Sequence, residues 1–313
     1  MNNSAQAPRN WHREISILSI AWAPDGRRIA TGSQDATAQI WDTNSGRHLL
    51  SYHGHKEGVN VVAWAPGGKL IASASDDGTV QIWNPIKGGN LLTYRRHATS
   101  QRVPAVKNLA WSPDGARIAS ADEDNNIHIW ESASGKMIHT QPGQYQLKEL
   151  SMPLAWSPDG TRIASLLVEN YRTRGVHIWD AETGKTLVIY QHAEQWSPTL
   201  DWSPDGRYIA SASSELIHLW DARNGSQVFT YRGHAVAEKS WSLTVSALAW
   251  SPDGNRIASF SDGKVLIWSA RSGETLSSYR GPEGFFAALA WSPDSKRLAV
   301  GGNEKTLQVW QVS

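Results

Sequence analysis

Residues 110–115 read Ala-Trp-Ser-Pro-Asp-Gly, and the same six residues recur unchanged at 155–160 and 249–254. Close variants stand at 21–26, 63–68, 201–206 and 290–295. Proline presets φ at the second position of a turn, and glycine supplies the positive φ that reverses the chain. Each copy therefore predicts a tight turn directly after a tryptophan, and seven copies indicate a repeat.

Fourteen of the 17 tryptophans fall into two series of seven, with members 41 to 49 residues apart. The first series precedes the turn and comprises Trp22, Trp64, Trp111, Trp156, Trp202, Trp250 and Trp291. The second follows Ile, Leu or Val and comprises Trp41, Trp83, Trp130, Trp179, Trp220, Trp268 and Trp310. A period of about 40–45 residues with four strands per unit is typical of a propeller blade.

The second repeat shows how one unit divides into strands. Its short apolar runs are Val59–Trp64, Leu70–Ser75, Thr79–Trp83 and Leu91–Tyr94, separated by turns rich in glycine and aspartate. Such runs, rich in β-branched and aromatic residues, predict strands rather than helices. The chain is therefore predicted to be all-β.

Short motifs within the repeats resemble the WD-repeat signature. Gly54-His55 precedes an inner strand, and Ile40-Trp41-Asp42, Ile178-Trp179-Asp180 and Leu219-Trp220-Asp221 each close a third strand. The resemblance covers nearly the whole chain. It implies a closed seven-bladed β-propeller of four-stranded antiparallel blades, with strand a innermost and strand d outermost.

The seventh repeat stops three residues past Trp310, before a fourth strand. An unclosed ring would leave a long strand edge exposed, which natural proteins avoid. The resemblance implies that the N-terminal segment, roughly Ser4 to Arg9, completes the last blade. We therefore predict one domain over residues 1–313. Its approximate blades are 11–53, 54–95, 96–141, 142–191, 192–232, 233–280 and 281–313 plus 1–10.

The resemblance also implies a buried polar set in several blades, made of a histidine, a serine, an aspartate and a tryptophan. The predicted sets are His55, Ser73, Asp77 and Trp83; His97, Ser120, Asp124 and Trp130; and His234, Ser259, Asp262 and Trp268. A serine protease triad would need one activated serine beside an oxyanion hole. The recurrence in several blades instead favours structural pairing of buried donors and acceptors. We predict no catalytic residue and no enzyme activity.

Departures from the repeat collect in the d–a and b–c connections, which share one rim, here called the top face. In repeat proteins, insertions on one face often mark the binding face, and aromatic and arginine side chains are common interface anchors. Trp11, Trp196 and Trp241 are all predicted in d–a loops. The predicted partner-binding residues are Arg102, Tyr145, Tyr171, Arg172, Arg174, Trp196 and Trp241. The alternative is that these aromatics only cover the tops of the blades.

Composition limits the class of partner. The net charge is +1 with acids and bases interspersed, which argues against a nucleic-acid-binding face. No apolar run approaches the roughly 20 residues of a membrane helix, and residues 1–14 lack the apolar core of a secretory signal. Cysteine is absent, so cysteine-ligated zinc is excluded. We predict a cytoplasmic monomer without metal or cofactor.

The predicted function is a non-catalytic scaffold or sensor module that binds a protein or peptide on the top face over blades 3 to 6. One alternative is small-molecule or glycan binding between the top loops, with Trp196 or Trp241 as a stacking platform. Another is a propeller enzyme with its site where the inner strands converge. In that region the sequence predicts only Asp201 and Lys107 as charged residues.

Overall fold

Seven four-stranded antiparallel sheets account for every strand in the computed structural model. The structure describes residues 9–12, 16–95, 97, 102–143, 153–169, 172–191, 199–235, 244–281, 287–302 and 306–312. Within each sheet of the first six blades, sequential strands pair in chain order, as expected for strands joined by short turns. The predicted seven-bladed, all-β propeller is therefore confirmed.

The strands of blades 1 to 3 have the following bounds. They are β2 (Ile17–Trp22), β3 (Arg28–Ser33), β4 (Ala38–Asp42), β5 (His48–Tyr52), β6 (Val59–Trp64), β7 (Ile71–Ser75), β8 (Val80–Trp83), β9 (Asn90–Tyr94), β10 (Val106–Trp111), β11 (Arg117–Asp122), β12 (Ile127–Glu131) and β13 (Met137–Gln141).

The strands of blades 4 to 7 follow in the same order. They are β14 (Leu154–Trp156), β15 (Arg162–Glu169), β16 (Arg172–Asp180), β17 (Thr186–Gln191), β18 (Leu200–Trp202), β19 (Tyr208–Ser213), β20 (Leu216–Asp221), β21 (Gln227–Tyr231), β22 (Ala247–Trp250), β23 (Arg256–Ser261), β24 (Lys264–Ser269), β25 (Thr275–Arg280), β26 (Ala287–Trp291), β27 (Arg297–Gly302) and β28 (Thr306–Gln311).

The ring is closed by a strand from the N-terminal segment, β1 (Arg9–His12), which pairs antiparallel with β28. The register runs from Arg9 opposite Val309 to His12 opposite Thr306. The predicted bounds, Ser4 to Arg9, were wrong, and residues 1–8 lie outside the described part of the chain. The strand begins directly after Pro8, which has no N–H to donate to a ladder. Trp11 accordingly lies in this outer strand and not in a d–a loop.

Aromatic stacks join neighbouring blades near their outer strands. Tyr52 at the end of β5 stacks on Trp83 of the next blade, with ring centroids 4.4 Å apart. Equivalent stacks are Tyr94–Trp130, Tyr190–Trp220, Tyr231–Trp268 and Tyr279–Trp310. Most second-series tryptophans are almost fully buried. Because such rings bury large apolar areas, they provide much of the contact between blades.

A second contact between blades uses the first tryptophan series. In six of the seven, the indole N–H donates to the carbonyl oxygen of the alanine on the inner strand of the preceding blade. The pairs are Trp22–Ala290, Trp64–Ala21, Trp111–Ala63, Trp156–Ala110, Trp202–Ala155 and Trp291–Ala249, at 2.9 to 3.2 Å. Trp250 is the seventh member, and its buried indole N–H has no acceptor among the described residues.

The b–c connection of blade 4 is longer than those of the other blades, but its described residues do not form a loop. The backbone instead extends β15 and β16 as a hairpin, with Leu167 opposite Gly175 and Glu169 opposite Arg172. The register shifts once, between Leu167 and Val168. Gly175 has φ +149°, and a Cβ there would meet the Tyr190 carbonyl oxygen at 1.8 Å. Glycine is therefore required where the lengthened hairpin passes β17.

Candidate interaction surface on the top face

The two faces of the ring differ in the length of their connections. On the bottom face the a–b turns stay short in every blade, as at residues 112–116 and 251–255. On the top face the connections into blades 3, 4, 5 and 6 occupy residues 95–105, 142–153, 192–199 and 232–246. Those into blades 2 and 7 occupy only 53–58 and 281–286. The longer connections therefore precede blades 3 to 6, and blade 4 also has the long β15–β16 hairpin.

The predicted polar set of blade 2 is assembled from strands β7 and β8, the b–c turn between them and the connection that precedes β6. His55 Nδ1 lies 3.0 Å from Asp77 Oδ2, and its Nε2 lies 2.7 Å from Ser73 Oγ. Trp83 donates its indole N–H to the same Ser73 oxygen at 3.1 Å. Burial would raise the pKa of Asp77, but hydrogen bonds from His55 and Thr79 hold that pKa well below its usual range. Both ring nitrogens of His55 are therefore engaged inside the blade.

In blade 3 the prediction of Asp124 was wrong, because the carboxylate beside His97 belongs to Asp122. His97 lies 3.1 Å from Asp122 Oδ2 and 2.8 Å from Ser120 Oγ, and Trp130 donates to Ser120 at 3.1 Å. Asp122 is the last residue of β11, and only 1% of it is exposed. Its second oxygen accepts from the N–H of Asp124, which itself faces Arg102. The aspartate that bonds the histidine is therefore two residues earlier in the chain than predicted, at the end of β11.

In blade 6 the structure brings His234, Ser259 and Trp268 together but leaves Asp262 out. His234 Nε2 lies 2.8 Å from Ser259 Oγ, and Trp268 donates to that oxygen at 3.2 Å. Asp262 and Gly263 form a two-residue hairpin turn with φ of 46° and 70°, and Asp262 is exposed. Within the described residues no carboxylate bonds His234. Burial, followed by the charge of Lys264, lowers the pKa of His234 to about 4, so the ring is neutral at pH 7.

Among the predicted partner-binding residues, the structure describes the side chain of Arg102 alone. Its guanidinium bonds Glu123, and it reaches Asp124 at 3.1 Å, while 40% of the side chain stays exposed. The remaining six lie outside what the structure describes, either entirely or as side chains: Tyr145, Tyr171, Arg172, Arg174, Trp196 and Trp241.

A charged cluster at the top mouth of the central channel was not predicted as a site. Lys107 on β10 lies 2.5 Å from Asp76 in the b–c turn of blade 2. Asn60 on β6 donates to the same Asp76 oxygen at 2.7 Å and to the Val106 carbonyl at 3.0 Å. A cavity of about 360 Å³ opens here between the starts of the inner strands. Two features of the sequence could have predicted this cluster: a second aspartate, Asp76, beside Asp77, and a lysine, Lys107, on the next inner strand.

Asp201 breaks the row of inner-strand alanines, and its carboxylate joins two blades. One oxygen accepts the backbone N–H of Trp202 at 2.9 Å, and the other accepts that of Trp250 in blade 6 at 2.7 Å. Burial raises the pKa of Asp201 to about 6, against the lowering effect of these two hydrogen bonds. The bond from the Trp250 N–H therefore links blade 6 to the inner strand of blade 5.

The described part of the chain offers neither a cluster of metal ligands nor a membrane-spanning helix. No grouping of three or more His, Cys, Asp or Glu side chains there could hold a metal ion. No helix in that part of the chain has the length and apolarity to cross a membrane.

Two protein-family models match parts of this chain. The family model described as "WD domain, G-beta repeat" matches residues 9–42, 46–84, 225–269 and 273–311, together about half of the chain. This chain belongs to the WD-repeat family. A second family model, described as "Eukaryotic translation initiation factor eIF2A", matches residues 105–245, which include the WD-repeat blades that the first model leaves out.

Curated proteins similar to this WD-repeat chain match it over about one repeat. The U5 small nuclear ribonucleoprotein 40 kDa protein of Homo sapiens is 43% identical over 49 residues, covering 16% of this chain and 14% of that protein. Cell division cycle 20.1, cofactor of APC complex, from Arabidopsis thaliana is 34% identical over 61 residues, covering 18% and 13%. An uncharacterized WD repeat-containing protein, alr3466, of Nostoc sp. is 38% identical over 45 residues, covering 14% and 3%. The matched region therefore spans a small part of each relative.

The Asp201→Ala variant is expected to change how the stability of this WD-repeat protein depends on pH. Because the folded-state pKa lies above the ordinary value, the folded chain holds this proton more tightly than the unfolded chain. The resulting stabilisation is complete below about pH 4 and is lost as pH rises through about 6. Alanine, the residue of the other six blades, removes this loss. The free energy of unfolding of the variant relative to wild type should therefore rise by about 1–3 kcal/mol between pH 4.5 and 7.5.

Urea unfolding at the two pH values measures this difference. Glu182→Ala removes one negative charge from an exposed bottom turn and is the matched control. A difference between Asp201→Ala and wild type that stays constant with pH would contradict the assignment.

Proposed function

We propose that this protein is a non-catalytic scaffold or sensor module that binds a protein or peptide partner on the top face over blades 3 to 6. The observation that carries the proposal is the confinement of added chain to that face, while the bottom turns stay short. In repeat proteins, length variation that collects on one face often marks the binding face. The proposal includes a monomeric state and a cytoplasmic location.

The rigidity of the ring supports this role. Tyr–Trp stacks, indole hydrogen bonds and polar sets hold the strands that flank each top connection. A loop whose two ends are fixed by such a framework loses less conformational entropy when a partner binds. The names of two relatives are consistent with a protein-binding role, since they describe a ribonucleoprotein component and a cofactor of the APC complex.

Described charges at the edge of this surface favour a partner with polar contacts. Arg102 is 40% exposed while paired with Glu123 and Asp124, and the neighbouring Val103 is 57% exposed. The channel mouth adds Lys107 and Asp76 on the side of blade 2. A centre of apolar and aromatic anchors with a rim of charged pairs is the usual anatomy of a protein interface.

Replacing Tyr171, Arg172, Trp196 and Trp241 with alanine is expected to weaken partner binding by more than tenfold. Truncation of an interface anchor costs about 1–2 kcal/mol or more, and every 1.4 kcal/mol is tenfold in affinity. Affinity capture from the source cell extract identifies the partners, and titration of each purified partner then measures the dissociation constant. The melting temperature checks that the variant is folded.

The control variant carries alanine at exposed positions of bottom c–d turns: Ile86, Lys87, Lys136 and Lys185. It should bind as wild type does. Equal recovery of partners by the top-face variant and wild type would show that the face is wrongly assigned. Capture that is abolished by ribonuclease, or a metabolite that binds without any protein, would contradict the proposed class of partner.

A further inference from the structure

The bottom face contains a contact between blades that is built from arginine. At five of the seven interfaces between neighbouring blades, here called seams, the guanidinium of the residue that begins strand b lies over the first-series tryptophan ring of the next blade. The pairs are Arg28 over Trp64, Arg117 over Trp156, Arg162 over Trp202, Arg256 over Trp291 and Arg297 over Trp22, at 4.6 to 5.1 Å from the ring centroid. A guanidinium over a tryptophan face is the strongest form of the cation–π contact.

Two further groups complete the surroundings of this guanidinium. Arg117 and Arg162 each donate to the glycine carbonyl of the next a–b turn, Gly160 at 2.9 Å and Gly206 at 3.2 Å. Arg162 also pairs with Asp159, three residues earlier in its own turn, at 3.5 Å. The same pairing with the turn aspartate occurs in blades 1 and 6. At Arg162 and Arg256 the bottom seam is thus a complete receptor for guanidinium, made of an aromatic face, a carbonyl and a carboxylate.

The seam between blades 5 and 6 keeps this receptor but not the arginine. Tyr208 begins strand b of blade 5, where the five seams have arginine. The aromatic face is Trp250, the carbonyl is that of Gly254, and the carboxylate is that of Asp205. Within the described residues, Asp205 accepts from Ser203 and the backbone of Arg207, and no cation pairs with it.

A cavity of about 600 Å³ occupies this seam and is lined by Trp250, Tyr208, Asp205, Gly254 and Arg271. Trp250 is the first-series tryptophan whose buried indole N–H lacks an acceptor among the described residues. The Asp201 carboxylate instead bonds the Trp250 backbone N–H, at the inner end of the same seam. This seam therefore lacks both the arginine contact of five other seams and the indole hydrogen bond of all six others, and a cavity lies between its blades.

The seam between blades 2 and 3 shows that loss of the arginine alone does not create such a receptor. Leu70 stands at the arginine position there and packs in one apolar cluster with Trp111. The Trp111 indole N–H keeps its bond to the Ala63 carbonyl at 3.2 Å. In blade 5 Tyr208 likewise packs against the apolar cluster that contains Trp250, and the guanidinium of Arg207 lies over the Tyr208 ring. The difference between the two seams is the indole N–H, which has an acceptor at Trp111 but none among the described residues at Trp250.

We propose that the bottom cavity between blades 5 and 6 binds an arginine side chain presented by a segment of a partner protein. The guanidinium lies over Trp250, donates to the Gly254 carbonyl and pairs with Asp205, which repeats the complete set of contacts made by Arg162 and Arg256. Arg207 Nε lies 3.8 Å from the Asp221 carboxylate, which Arg223 also binds at 2.6 Å. Arg271 is exposed at the mouth and favours an acidic residue next to the bound arginine. This site is on the face opposite the proposed top-face interface and does not depend on it.

The full chain with ¹⁵N-labelled tryptophan provides the test, because each indole N–H gives its own signal. The Trp250 signal is assigned as the one missing from the Trp250→Phe variant. Titration with the peptide Ac-Gly-Ser-Arg-Glu-Gly-NH2 should shift it saturably. Lysine in place of the peptide arginine should weaken binding by roughly fivefold or more, because ammonium lacks the planar donor fork.

The Tyr208→Arg variant should abolish binding of the peptide, since it supplies the missing guanidinium from within the chain, and its melting temperature should be at least that of wild type. Leu70→Arg makes the same change in the seam between blades 2 and 3 and should leave peptide binding unchanged. The top-face alanine variant should also bind the peptide normally, which separates this site from the proposed function.

The absence of a saturable Trp250 shift up to about 10 mM peptide would overturn the proposal. Unchanged binding to Tyr208→Arg would do the same. If Ac-Arg-NH2 binds as tightly as the peptide, the guanidinium comes from a free metabolite, and the assignment to a partner segment is wrong.

Discussion

Deletion of residues 1–12 is expected to lower the melting temperature of this propeller by roughly 5–10 °C. The deletion removes β1, whose four residues pair with β28 from Arg9–Val309 to His12–Thr306. Net contributions of about 1 kcal/mol per backbone hydrogen bond suggest a loss of roughly 3–4 kcal/mol, before any loss of side-chain packing. The deletion also leaves β28 as an exposed edge, which favours pairing with another molecule. Differential scanning calorimetry measures the stability, and light scattering measures the self-association.

The matched control is deletion of residues 1–8, which leaves β1 in place. Its melting temperature should stay within about 2 °C of wild type, because the β1–β28 ladder is retained. Equal destabilisation by the two deletions would mean that the first eight residues, and not β1, close the ring. No destabilisation by either would mean that the pairing contributes nothing measurable.

The sequence was sufficient for the architecture because the features that decide it are local and repeated. Five Trp-x-Pro-Asp-Gly turns and two close variants each fix a hairpin through the φ of two residues, and seven such hairpins at a regular spacing leave few arrangements other than a ring. The bounds of the second repeat show the accuracy: β6 begins and ends as predicted, while β7 and β8 each begin one residue later. Local chemistry also explains the start of β1 after Pro8.

The predictions of polar-set aspartates were wrong where the contact depends on which position of the b–c turn the residue occupies. Asp124 and Asp122 are both aspartates near the same turn, and only the fold shows that the end of β11 faces His97 while Asp124 faces Arg102. In blade 6 the turn is shorter, so Asp262 has φ 46° and lies outside. Shifts of two residues in register decide such contacts, and a repeat pattern does not specify them.

Contacts between blades were the least accessible to sequence reasoning. The Asn60–Asp76–Lys107 cluster and the open seam beside Trp250 each join residues that are distant in the chain and belong to neighbouring blades. Recognition of either requires knowing which face of one blade meets which face of the next. The replacement of arginine by Tyr208 is visible in the sequence, but its meaning depends on the ring that the arginine covers in the other seams.

The Ser73→Ala variant is expected to lower the free energy of unfolding by about 2–4 kcal/mol. Ser73 Oγ is fully buried and bonds both His55 Nε2 at 2.7 Å and Trp83 Nε1 at 3.1 Å. Alanine removes the shared oxygen and leaves two buried polar groups unpaired, each of which costs about 1–3 kcal/mol. The carboxylate of Asp77 keeps His55 in place, so the ring cannot easily turn to water. Chemical denaturation at pH 7 measures the loss.

Ser165→Ala in blade 4 is the matched control, because Ser165 occupies the same place on strand b and is 4% exposed. Among the described residues its hydroxyl bonds one side chain, Trp179, at 3.2 Å. One unpaired indole should cost about 1–2 kcal/mol, roughly half the effect of Ser73→Ala. Equal losses in the two variants would show that the histidine and aspartate add nothing to the serine–tryptophan bond. A larger loss in blade 2 means that the complete polar set stabilises its blade beyond that single bond, which is the role that its recurrence around the ring supports over a catalytic one.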